Sequence, residues 1–443
     1  MPMVRLPNRP RKYLSSFSCN FAPLEQLNRK DSLSAMNKMF FVPFISIVLV
    51  ALDYYVWMAV KTAFRNSRQS IQTTAKNVFW GFTLFILIGI ISYNALPLHA
   101  WKNEIRITFM AIVMISVITK LFIIIFLLLE DITRFFRWGT KKVLKKDPSA
   151  ISRHEFLSQA ALAVGAVPAA TFAFGIISGA HDYTVEQIPL KIKGLPSSFK
   201  GLKIAQISDI HTGSFFNKTA VKGGVEMLMR EKPDVVFFTG DLVNNESKEV
   251  QNYFDVFNKV KAPLGVFSTL GNHDYGDYVR WKSPEAKKQN LKDLMKAHEL
   301  MGWDLLMDEH RFLEESGEKL AIIGVQNIGL GRFPWYGNLE KAHKGTEEAS
   351  AKLLLSHDPN HWNAEVTKKY KDIDVAFAGH THGTQFGVKI AEMRWSPAQY
   401  VYKQWAGLYQ EGEQQIYVNR GYGYLGYPGR VGMPPEISIF TLS

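Results

Sequence analysis

Five short pieces of this 443-residue sequence carry side chains that can hold metal ions and move protons. They are Asp209-Ile210-His211, Gly240-Asp241, Gly271-Asn272-His273-Asp274, His357-Asp358 and Gly379-His380-Thr381-His382-Gly383. Mixed carboxylate and imidazole donors suit Mn, Fe, Zn or Ni, whereas a shell of oxygens alone would suit Ca or Mg. In Asp-x-His and His-x-His both side chains project to one side of an extended chain and can reach a single site. Gly240, Gly271, Gly379 and Gly383 permit tight turns beside the donors. The single cysteine, Cys19, excludes a disulfide within the chain and a zinc site built on cysteines.

Each piece follows an apolar, β-rich run. Residues 202–208, 234–239, 265–270, 352–356 and 374–378 read as buried strands that deliver Asp, Asn or His just past their carboxyl ends. Runs at 320–325, 415–418 and 437–442 read as further strands, and 219–231 and 285–301 as helices between them. This is the pattern of an α/β domain. In such a sheet the carboxyl edge is where ligands bind. A lone His-x-His is more often an accident than a ligand pair, but five such pieces on five strand ends are a coherent set.

In this order the pieces resemble the calcineurin-like metallophosphoesterase superfamily, whose blocks run D-x-H, G-D, G-N-H-[DE], H and G-H-x-H, over roughly residues 200–385. The resemblance implies two packed mixed β-sheets flanked by helices. It implies two divalent ions (Mn, Fe or Zn), the first held by Asp209, His211 and His382, the second by Asn272, His357 and His380, with Asp241 bridging. His273 would meet the phosphate and assist the leaving group, and Asp274 would orient His273. Two such ions sharing a water lower its pKa and offset charge in an in-line displacement.

A narrower resemblance links Ser208-Asp209-Ile210-His211 and residues 407–442, including Asn419-Arg420-Gly421 and Pro428-Gly429-Arg430, to the bacterial membrane-associated branch. That branch includes envelope phosphoesterases and pyrophosphatases of lipid-linked nucleotides such as UDP-diacylglucosamine. Thr384 stands where the branch usually has glycine, so the local turn is expected to differ. Aromatic clusters at Phe333-Pro334-Trp335-Tyr336 and at Tyr422, Tyr424 and Tyr427 could meet a lipid surface or fold back on the domain. Arg420 and Arg430 could each bind phosphate or form a structural salt bridge.

The positive charge lies elsewhere. Residues 1–183 hold 21 Lys+Arg against 9 Asp+Glu, and 184–443 hold 31 of each. No basic face for nucleic acid is expected on the second part. Basic residues flanking apolar spans instead suggest a membrane protein. The organisation expected is a basic N-terminal extension open to disorder (1–38), three transmembrane helices (39–130), a basic cytoplasmic loop (131–155), a fourth anchor or signal-like helix (156–180) and the phosphoesterase domain (181–443). Asp53 and Lys120 interrupt the first and third spans and are read as snorkelling or paired between helices. Ser152-Arg153-His154-Glu155-Phe156-Leu157 resembles a twin-arginine signal with His154 replacing the second arginine; an uncleaved anchor is the reading taken. Retained Lys and Arg place the 131–155 loop inside and the domain on the extracytoplasmic side of the inner membrane.

The function expected is hydrolysis of a phosphate ester or pyrophosphate bond, in a lipid-linked or other envelope substrate. The alternatives are a non-catalytic platform on the same fold, or the regulatory domain of a membrane sensor or transporter. Degenerate relatives usually lose metal ligands, and this chain keeps them. Apolar spans with few polar residues make a poor transport path.

Overall fold

The computed structural model describes residues 24–95, 103–143, 155–331, 333–390 and 393–443. Cys19, the turn around Lys102, and Lys145, Lys146 and Arg153 of the expected cytoplasmic loop lie outside these residues. Among the described residues four helices are long and apolar enough to cross a membrane: α1 (Leu24–Ala63), α2 (Gln69–Ala95), α3 (Asn103–Val143) and α4 (Glu155–Ile177). Helix α1 begins inside the extension expected to be open to disorder, because residues 24–38 are rich in helix formers and lack Gly and Pro. Helix α3 continues past the expected end of its span to Val143. At 1.5 Å per residue it is roughly 60 Å long, about twice the ~30 Å hydrocarbon core.

The chain divides into two compact units, residues 1–58 with 67–100, and residues 59–66 with 101–443. In the first, Thr83 Oγ1 donates to Asp53 Oδ2 at 2.8 Å, so the carboxylate inside the first span is paired across helices. In the second, α4 packs closely on α3: a Cβ on Gly165 would meet Ile123 at 2.3 Å. The same helix continues through a short turn into the α/β domain.

The domain strands are β1 (Thr184–Leu190), β2 (Lys203–Ile207), β3 (Val235–Phe238), β4 (Val266–Ser268), β5 (Asp304–Leu305), β6 (Glu309–Glu315), β7 (Glu318–Gly324), β8 (Ala351–Leu355), β9 (Val375–Ala378), β10 (Val388–Ile390), β11 (Met393–Trp395), β12 (Gly407–Glu411), β13 (Gln414–Val418) and β14 (Glu436–Leu442). Among the described residues they form sheets ordered β1-β14-β2-β3-β4-β5 and β12-β13-β9-β8-β7-β6, plus the hairpin β10-β11. Strands β2 to β5 are parallel, as are β7, β8, β9 and β13; β14 and β2 pair antiparallel.

The sheets pack face to face. Ile204, Val235 and Phe237 of one meet Leu353, Leu355 and Phe377 of the other, and Phe237 and Phe377 rings sit 5.0 Å apart, edge to face. The alternate residues Ala205, Ile207, Val236 and Phe238 face a second core with α5 (Lys218–Arg230). Both faces of β2 and β3 are therefore buried, which is why β3 is a continuous apolar run and β2 does not alternate; in β2 the buried Gln206 satisfies its amide by donating to Thr239 Oγ1 and the Ala378 carbonyl. All eight strands read from the sequence are present. This is the mixed, two-sheet α/β architecture expected, preceded by apolar helices.

Candidate metal centre

Ligand atoms of Asp209, His211 and His382 lie within 4.8 Å of one another, and those of Asp241, His357 and His380 do the same. Within the first group His382 Nε2 is 3.1 Å from His211 Nε2 and 3.3 Å from Asp209 Oδ1. Within the second His380 Nδ1 is 3.2 Å from His357 Nε2. Asp241 reaches both: its Oδ2 is 3.1 Å from His357 Nε2 and 3.6 Å from His211 Nε2. Asn272 joins at the edge. Gly271 and His273 on either side of it both contact Asp241. Its Nδ2 donates to Tyr278 Oη at 2.8 Å, while its buried Oδ1 has no hydrogen-bond partner. A buried polar atom without a partner calls for one, and an amide oxygen is a competent cation donor.

The strand ends turn sharply to achieve this. Asp209, His211, Asp241, His380 and His382 all adopt positive φ, between 51° and 70°. The left-handed conformation costs a non-glycine residue about 1 kcal/mol or more, and such strain gathers at functional sites. Backbone bonds hold the turns: Asp209 N–H donates to the Gly240 carbonyl at 2.9 Å and His211 N–H to that of Asp241 at 3.1 Å. Two glycines are required here. Gly240 has φ +99°, and a Cβ on Gly379 would meet the Asp209 carboxylate and Ser208 Oγ, each at 2.1 Å.

The donor set fits divalent cations. Burial brings His211 down to about 3, His380 to about 4 and His382 well below the usual range, so these rings are neutral and keep a lone pair. Burial opposes charge on His357 too, but the adjacent Asp241 carboxylate outweighs it and raises His357 to about 10. Burial pushes Asp209 up to about 6, with His357 opposing and Asp241 reinforcing the shift. Two buried carboxylates this close need positive charge beside them. In the chain alone His357 carries it; metal binding would displace that proton.

His273 is partly exposed. Its Nδ1 lies 2.7 Å from the Asn244 carbonyl, so that nitrogen carries the proton donated to oxygen and Nε2 is left free. Asp274 does not orient it, contrary to expectation. The Asp274 carboxylate accepts backbone N–H groups of Asp241, Leu242, Val243 and Gly271 at 2.8–3.2 Å and is fully committed to them. It sits third in the turn Asn272–Tyr275, where a carboxylate reaches back to cap the preceding residue. Two tyrosines without a sequence signal also touch the centre: Tyr278 through Asn272, and Tyr402, whose Oη is 3.2 Å from His380 Nε2.

The other candidates separate. Arg420 is fully buried and ion-paired with Glu436 and with Glu186 at 2.8 Å, so the salt-bridge reading holds. Arg430, also buried, faces main-chain carbonyls of Arg420, Gly423 and Met433, and its Nη2 is 3.3 Å from His382 Nδ1. Tyr422 and Tyr424 fold into the core, while Phe333 stands edge-on to the His380 ring at 4.6 Å. Thr384 keeps a left-handed turn, φ 50°, with Oγ1 at 2.9 Å from Ser396 Oγ.

A two-sheet α/β fold whose strand ends converge on paired carboxylate and imidazole clusters defines a metallophosphoesterase. The model for a calcineurin-like phosphoesterase matches residues 202–384, and the transmembrane domain of a probable calcineurin-like phosphoesterase matches 37–180. The metallophosphoesterase YkuE of Bacillus subtilis is 31% identical over 300 residues, covering 66% of this chain and 98% of that protein. This chain belongs to the calcineurin-like metallophosphoesterase family and carries apolar membrane helices. A transmembrane protein with a metallophosphoesterase domain from Danio rerio is 27% identical over 61% of this chain and 59% of its own length. A metallophosphoesterase of Campylobacter jejuni is 28% identical over 56% and 61%. The matched region thus spans about three fifths of those two relatives.

Proposed function

We propose that this protein is a membrane-anchored phosphoesterase that uses two divalent ions to hydrolyse a phosphate ester or pyrophosphate bond in a lipid-linked or other envelope substrate. The observation that carries the reading is the position of Asp241 between two donor groups, which suits a shared ligand. Asp209, His211 and His382 would hold one ion, and His357, His380 and Asn272 the other. Such a pair supplies hydroxide near neutral pH and Lewis acidity towards phosphoryl oxygens. His273, partly open to solvent with its Nδ1–H donated to the Asn244 carbonyl, would act as the doubly protonated imidazolium and pass the proton carried on Nε2 to the departing oxygen. The substrate assignment rests on the helices, which keep the site beside a bilayer. Four apolar spans and the basic stretch before α4 favour a multi-pass inner-membrane protein with its domain outside the cytoplasm.

The test is metal analysis of the purified full chain, with hydrolysis of an aryl phosphodiester and of envelope lipids under added Mn, Zn or Fe. Two bound ions and metal-dependent turnover are expected, and Asp241→Asn should lower both more than any single ligand change. A protein that binds no transition metal and stays inactive with each of them overturns the reading.

A further inference from the structure

An apolar face leads from the last turns of α4 to the metal centre. Phe386 stacks on Phe172 of α4, with centroids 5.7 Å apart and planes 7° from parallel. Tyr427 Oη donates to the Phe172 carbonyl, and Arg430 N–H donates to that of Gly175 at 3.0 Å. The chain around Phe386 is tied to this same loop, since Gly387 N–H donates to Val431 O at 2.9 Å and Val431 N–H to Gln385 O at 2.8 Å. The hairpin β10-β11 therefore has a fixed place relative to a helix of membrane-crossing length. Phe172 lies five residues before Ile177, roughly 7 Å along the axis, which matches the ~5–10 Å to which interfacial apolar faces sink.

This segment leaves a cluster of apolar and amphipathic side chains exposed, alongside the polar Lys389, which pairs with Glu186, and Gln399 and Lys403. Met393, Tyr400 and Val401 are 62%, 76% and 70% exposed, with Val388 and Trp395 beside them. Trp395 Nε1 lies 3.4 Å from Tyr400 Oη, which joins the hairpin to the following turn. Trp and Tyr are the residues that favour the headgroup layer, with an apolar body and a polar tip. Both ends of the segment reach the centre: His382 lies just before it, and Tyr402 at its far end touches His380.

We infer that Val388, Met393, Trp395, Tyr400 and Val401 form a surface that sits in the interfacial layer of the leaflet where α4 ends. The occupant of this face is lipid, and the metal centre opens at bilayer level, where a phosphate carried on an acyl-chain anchor arrives. Placement of the face rests on α4 crossing the membrane and not on the catalytic reading, and it holds whichever side of the membrane carries the domain.

The test uses the full chain in nanodiscs of phosphatidylethanolamine and phosphatidylglycerol, with Cys19→Ser and an environment-sensitive fluorophore on Met393→Cys or, separately, Tyr400→Cys. A label on Lys296→Cys of the helix Pro284–Met301, whose side chain is exposed and pairs with Glu299, is the control. Labels at 393 and 400 should emit blue-shifted light and be quenched by lipids carrying a nitroxide near the headgroup, more than by lipids carrying it deep in the chain. The control should show neither effect. Water-like emission at both sites overturns the inference. A blue shift without lipid quenching also overturns it, assigning the face to protein, such as a second copy of this chain. Hydrolysis of a soluble aryl phosphodiester should be unchanged in Met393→Glu, which separates failure here from failure of the catalytic reading.

Discussion

The carboxylate of Asp274 accepts the backbone N–H of Asp241 at 2.9 Å, so one buried acid fixes the main chain of another. Three further N–H groups converge on the same carboxylate. Asp274→Asn replaces one acceptor oxygen by an NH2 group that faces donors. Hydrogen bonds to a charged group are worth about 1.5–3 kcal/mol each. The variant should lose about 2–4 kcal/mol of stability, read as a lower melting temperature, together with bound metal. A variant that melts as the parent does and keeps its metal would show that the turn stands without this carboxylate.

His273 gives a different signature. In His273→Asn the ligand groups remain, so metal content should stay near normal while turnover falls. Positioned proton transfer contributes roughly 10²–10⁴-fold. The loss should shrink as the leaving group becomes more acidic and needs no proton. Rates measured over a series of aryl phosphates check this, and an equal loss across the series assigns His273 to phosphate binding instead.

Tyr278 is a positioning residue. Its Oη accepts from Asn272 Nδ2, which leaves the buried Oδ1 without a hydrogen-bond partner and available as a cation donor. Tyr278→Phe keeps the ring and removes that partner. Outer partners of metal ligands are typically worth roughly 10–100-fold in affinity, so a weaker metal dissociation constant is expected with little change in melting temperature. An unchanged metal titration would mean that Asn272 is held by its turn alone.

What could be read from the sequence follows from how each part is built. Runs such as Val235–Phe238 are buried on both faces, and a short apolar, β-branched and aromatic run bounded by Pro, Asp and Gly reads as a central strand. Strand β6, Glu309–Glu315, went unread because it lies at a sheet edge and its side chains are mostly charged and half-exposed. The donor groups were legible because strand ends and Asp-x-His spacing are local features. The tyrosines were not, because Tyr402 meets His380 across 22 positions of sequence that include the hairpin β10-β11. Asp274 was misjudged for a related reason: sequence adjacency to His273 suggested a partnership, whereas the turn at Asn272 points the carboxylate back towards Gly271.

The side of the membrane that carries the domain is set by charge. Arg134 and Arg137 lie on the far end of α3, followed in sequence by Lys141, Lys142, Lys145, Lys146 and Arg153, and α4 comes next. Lys and Arg close to a span are retained in the cytoplasm. One crossing by α4 would then deliver residues 184–443 to the opposite face, the orientation proposed above. A reporter fused after Ser443 should be active only if it works outside the cytoplasm, and protease added to spheroplasts should digest the domain while the membrane is intact. Changing Lys141, Lys142, Lys145 and Lys146 together to Gln should produce a protected fraction, since the retention signal is weakened while the apolar span is untouched. Complete protection of the parent until lysis would reverse the orientation and turn the expected substrate towards cytoplasmic lipid precursors. The metal chemistry would be unaffected, because it depends on Asp241 and the clusters around it and not on which leaflet they face.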